Sequence, residues 1–79
     1  MLATNAYDAT AVGANRTITM ADLVALGART DAAGYVRFAQ EIELLEQMEI
    51  EGKLKIDWRH PETSTGKRYT DMVRFTRLR

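Results

Sequence analysis

Residues 60–69, HPETSTGKRY, gather the side chains that most readily suggest chemistry: a histidine, a carboxylate, a run of hydroxyls and the letters T-G-K. A phosphate-cradling loop has the form G-x-x-x-x-G-K-[ST]. Glycine amides wrap the phosphates, the lysine reaches the terminal phosphate and the hydroxyl holds magnesium. Here Pro61 stands five positions before Gly66, and Lys67 is followed by Arg68. One amide, the flexibility of the loop and the magnesium ligand are therefore missing together. Asp57, His60 and Glu62 could approach one another, but three ligands on one hairpin tip are a weak metal set. His60 is the single histidine, and no serine or cysteine is paired with it as a nucleophile. A chain of 79 residues can hardly build a shaped catalytic cleft beside its own core. No enzyme activity, metal or cofactor is expected.

What remains to be explained is a Pro-, Gly- and hydroxyl-rich segment followed by two positive charges. The net charge of zero hides a division. Residues 1–51 carry three basic groups against eight acidic ones, net −5, and residues 52–79 carry eight against three, net +5. Such asymmetry points to an anionic partner for the C-terminal end, or to pairing of a basic strand with an acidic helix inside the fold. The length allows one domain with a small core, burying about 60–65% of the unfolded surface. There is no cysteine, which suits a reducing, cytoplasmic setting. The first residues lack a basic n-region, and no run approaches about 18 apolar residues, so neither a signal peptide nor a membrane span is expected.

The elements that position these residues can be read from periodicity. Residues 1–16 hold five alanines and few large apolar side chains, and form either a short helix or a mobile arm. Thr19 and Asp22 make a capping box with aspartate in place of the usual glutamate or glutamine, opening a helix through Met20, Leu23, Val24 and Leu26 that Gly27 stops. Thr30 or Asp31 caps a second helix over residues 32–51. On its wheel Tyr35, Phe38, Ile42 and Leu45 share a core face, and Arg37, Gln40, Leu44 and Met48 fall opposite. After Gly52, Leu54, Ile56 and Trp58 alternate with Lys55, Asp57 and Arg59 as a half-buried strand, Trp58 being expected in the core. Residues 67–78 form a second strand, so HPETSTG is the loop of a long β-hairpin with Lys67 and Arg68 at its rim.

The order helix, turn, longer helix and β-hairpin resembles the winged helix-turn-helix family, an α+β fold. The resemblance lies in ITMADLVALGART, DAAGYVRFAQEIELLEQMEIEGKLKI and STGKRYTDMVRFTRL, which span residues 17–79. The family normally has a helix before the short strand, so residues 1–16 are expected to be short and alanine-packed or to be completed by a partner.

The resemblance implies a small transcriptional regulator that binds duplex DNA, the second helix in the major groove and the wing on backbone or minor groove. Arg29, Thr30, Arg37 and Gln40 can then face the bases from the start of that helix, and Arg59, His60, Lys67 and Arg68 form a cationic wing tip for phosphates. Glu41, Glu43, Glu46, Glu49 and Glu51 crowd the later turns, so DNA should meet only the first two. Leu44 and Met48 offer a second apolar face for a homodimer or for residues 1–16. The alternative is a winged helix that docks proteins through that patch and binds no nucleic acid.

Overall fold

In the computed structural model, which describes residues 1–79, the chain runs α1 (Leu2–Ala9), β1 (Asn15–Thr19), α2 (Met20–Ala25), α3 (Ala32–Ile50), β2 (Leu54–Pro61) and β3 (Thr70–Arg77). The strands form one antiparallel sheet in the order β1-β3-β2. The class is therefore α+β, with three helices and a three-stranded sheet. Local chemistry sets the helix boundaries. The Asp22 amide donates to the Thr19 hydroxyl at 3.2 Å and the Thr19 amide to the Asp22 carboxylate at 2.8 Å, so aspartate does complete the capping box. Gly27, at φ 97°, closes α2: its amide bonds Val24 and the Ala28 amide bonds Leu23, satisfying two orphan carbonyls. Asp31 rather than Thr30 caps α3, accepting from the Ala33 amide at 3.2 Å.

The core is built from α3 outward. Phe38, Ile42 and Leu45 of α3 are buried with Leu23, Ile18, Leu54, Val73 and Phe75, while Tyr35 is half-buried at the margin. α1 completes it with Ala3 and Ala6, one turn apart and small enough to let the helix lie close. That short helix has no side-chain cap of its own. Glu41 of α3, 2% exposed, reaches across to accept from the Ala3 amide at 2.9 Å. At the other end the Arg77 guanidinium donates to the carbonyls of Tyr7 at 3.1 Å and Thr10 at 2.9 Å, and lies 4.3 Å from the centre of the Tyr7 ring. Anion at the N-terminus and cation at the C-terminus match the helix dipole. Residues 2–9 are thus helical because two charged side chains from α3 and β3 satisfy their free ends.

The β2–β3 pairing departs from a regular ladder at two places, between Ile56 and Trp58 and between His60 and Pro61, and the first changes which side chains face the core. β2 pairs regularly with β3 through Ile56↔Phe75, then slips at Asp57 and resumes at Trp58↔Arg74. A bulge of one residue reverses the side-chain alternation beyond it. Trp58, expected inside, therefore points to the outer face and is 40% exposed, while Arg59 takes the inward side opposite the buried Val73. β2 also runs on through His60 and Pro61, and β3 begins only at Thr70. The hairpin loop is shifted by two to three residues along the chain, and Lys67 and Arg68 belong to it rather than to the strand.

Leu44 and Met48 are half-buried and pack against the core that α1 completes. They do not form a free patch. Leu44→Glu is accordingly expected to lower the melting temperature with no change of mass in light scattering, because it drives a charge against this chain's own core. A fall to half the wild-type mass would instead place Leu44 between two copies.

Candidate nucleic-acid interface

Two surfaces carry the residues singled out from the sequence. On α3, Arg37 and Gln40 are exposed on the side away from Phe38 and Leu45, and neither joins an ion pair within the chain. Arg29 and Thr30 lie just before the helix, in the turn from α2, and are also exposed. Arg29 is already engaged: its Nε and Nη2 donate to one Asp31 oxygen at 2.9 and 2.7 Å. That hydrogen bond, with the Arg29 charge and the Ala33 and Gly34 amides, holds the Asp31 carboxyl below its ordinary range despite some desolvation. The cap therefore contributes its stabilisation above the ordinary carboxylate range and loses it as pH falls through the lowered value.

On the hairpin, the expected four-residue cationic tip divides into two pairs. Arg59 points inward and its Nη2 lies 3.3 Å from Glu46 of α3. His60 Nδ1 lies 2.8 Å from Asp71 Oδ1. Only Lys67 and Arg68 stand at the tip, exposed and free of any carboxylate. Asp57, His60 and Glu62 do not converge. Asp57 accepts from the Thr76 hydroxyl at 2.7 Å, His60 faces Asp71, and Glu62 turns into the loop. No group of three acidic or histidine side chains able to hold a metal is formed.

Glu62 is the residue that sequence reasoning missed. It is 2% exposed, and its carboxylate accepts from the Thr65 hydroxyl, from the Thr65 amide at 3.0 Å and from the Tyr69 amide at 3.2 Å. These bonds gather residues 62–69 around one anion, and the chain leaves it through Arg68 at φ 57°. An arginine in the left-handed region is uncommon and persists where surroundings over-determine it. The Thr65 hydroxyl, more than any other group, holds the Glu62 carboxyl below its ordinary value of 4.5. Loop order is therefore expected to be complete at neutral pH and lost as pH falls through the lowered value. NMR amide shifts of Thr65 and Tyr69 followed from neutral pH into acid should move together, and Glu62→Gln should abolish that transition. A carboxylate three residues before a hydroxyl, between two strands, is the sequence signal that could have identified it.

The two surfaces are tied together. The rings of Tyr35, at the start of α3, and Tyr69, at the base of the loop, stack with centroids 5.1 Å apart and planes 8° apart. This fixes the hairpin beside the first turns of the helix. The glutamates expected to repel phosphate are largely engaged within the chain. Glu41 is buried against α1, Glu46 pairs with Arg59, Glu49 accepts from the Ile56 amide at 2.6 Å and Glu51 pairs with Lys53 at 3.2 Å. Glu43 alone among the five stays exposed without such a partner. No helix is long and apolar enough to cross a membrane. Comparison of the chain with protein-family models, with curated proteins and with solved structures finds no match.

Proposed function

We propose that this chain is a winged helix that binds duplex DNA and serves as a small transcriptional regulator. α2 and α3 act as the helix-turn-helix and the β2–β3 hairpin as the wing. The observation that carries this is the Tyr35–Tyr69 stack, which sets the hairpin alongside the first turns of α3. Gln40, about 140° around α3 from Tyr35 across its exposed side, and uncommitted Lys67 and Arg68 on the hairpin can then meet a single duplex, bases from the helix and backbone from the wing, with uncommitted Arg37 on the far flank of the helix. Arg29, in the turn before α3, has its charge shared with Asp31, which suits positioning rather than base reading. Pairing of Glu46 with Arg59 and of Glu51 with Lys53 offsets two of the five later carboxylates that would otherwise oppose phosphate.

Retention of a random-sequence duplex at low salt, followed by a salt series, tests the proposal. Binding should weaken steeply as salt rises, because released counterions drive it. One observation favours a protein-docking winged helix instead: Trp58 is 40% exposed on the outer sheet face, opposite Arg74, and tryptophan and arginine are enriched at protein interfaces. No retention of any duplex, even at low salt, would favour that second reading.

A further inference from the structure

We infer that the outward stripe of α3 reads A·T base pairs, with Gln40 on adenine and Val36 on a thymine methyl, an inference that rests on the duplex-DNA reading above. Ala33, Val36 and Gln40 are spaced by three and four residues, so they stand one above another on the helix. All three are exposed. Val36 is 53% exposed, and neither it nor Gln40 is needed by the core. From Ala33 to Gln40 the helix rises about 10 Å, which matches about three base pairs.

The chemistry of this stripe is selective by what it holds and by what it lacks. A glutamine amide offers a donor and an acceptor together, the pattern that adenine N7 and N6 complete in the major groove. The isopropyl group of Val36 and the methyl of Ala33 fit against the C5-methyl of thymine, which a G·C pair does not present. The stripe has no lysine or arginine to meet guanine O6 and N7, and no carboxylate before Glu43 to accept from cytosine N4. Arg37 is displaced by about 100° around the helix from Val36 and about 60° from Gln40, toward the flank away from the hairpin. A G·C pair beneath Val36 would have its polar edge desolvated without a partner.

The test is selection from a random duplex pool, then anisotropy titration at fixed salt. The enriched duplex is compared with random duplex and with copies in which each deoxythymidine in turn is replaced by deoxyuridine, which lacks only the methyl. An A·T core of about three base pairs is expected, with one or two positions where uracil weakens binding about fourfold, the worth of one buried methyl. Val36→Ala should erase the thymine–uracil difference. Gln40→Ala should lose at least about fivefold of the preference for adenine over guanine at one position. Val36→Thr, which keeps the branched shape and one methyl able to meet thymine, should retain part of the uracil effect, and separates methyl contact from any change in folding. A G·C core, indifference to uracil at every position, or equal binding of all duplexes would overturn this inference and leave duplex binding intact. Absence of binding to any duplex would overturn both.

Discussion

Gly34→Ala is expected to destabilise the domain by about 3 kcal/mol or more, the range of overpacking where backbone must shift. A Cβ at this position would lie 1.8 Å from the Arg29 carbonyl oxygen, 2.8 Å from its carbon and 2.6 Å from the Met20 Cε. The methionine end can swing aside. The carbonyl cannot, because it belongs to the tight turn between α2 and α3. The gain of about 1 kcal/mol that alanine brings to a helix interior offsets only part of the clash. A chain of this length has roughly 4–12 kcal/mol of stability in all, so the loss is a large share of it. The melting temperature should fall by roughly 10–25 °C. Relief could come only by moving α3 away from the turn, which would also displace Arg37 and Gln40. An unchanged melting temperature would show that the helix–turn distance is not fixed as described.

The second large effect concerns the hairpin tip that we propose as a wing. Lys67→Ala with Arg68→Ala should weaken duplex binding and flatten the dependence of log K on log salt by roughly two units, since each phosphate contact adds a slope of about 0.9. Both side chains are exposed, and neither has a carboxylate partner to release. Folding should therefore be untouched, and replacing Arg68, at φ 57°, leaves its backbone strain in place. Arg59→Ala serves as the contrast. Arg59 is paired with Glu46, so its loss should change the salt slope much less, while leaving Glu46 free to repel the duplex. An unchanged slope in the double variant would remove the hairpin tip from the interface.

Much of the candidate site was legible because exposure of a charged residue on an amphipathic helix follows from the wheel. Arg37 and Gln40 lie outward as that pattern requires, while Lys67 and Arg68, expected at the start of the second strand, lie in the loop because β3 begins only at Thr70. Arg59 and His60 differ from the free charges expected of a cationic tip, since each has a carboxylate partner, Glu46 and Asp71, beyond the reach of a local pattern. Val36 passed unnoticed because an apolar residue within a helix is ordinarily assigned to packing.

Features whose partners lie within a few residues follow from local sequence alone. These are the Thr19–Asp22 capping box, the stop at Gly27 and the stripe of Phe38, Ile42 and Leu45, whereas the choice of Asp31 over Thr30 as the cap of α3 came from the structure. Each is settled by a hydrogen bond or a helical repeat that spans at most a turn or two. Only the tertiary structure decided that residues 2–9 are a helix, because the groups that complete its ends, Glu41 and Arg77, are 38 and 70 positions distant from the atoms they bind. It likewise decided the side of Trp58. An extra residue at Asp57 costs β2 one hydrogen-bonded step and turns every later side chain to the other face, and whether a strand slips depends on what its neighbour offers across the sheet.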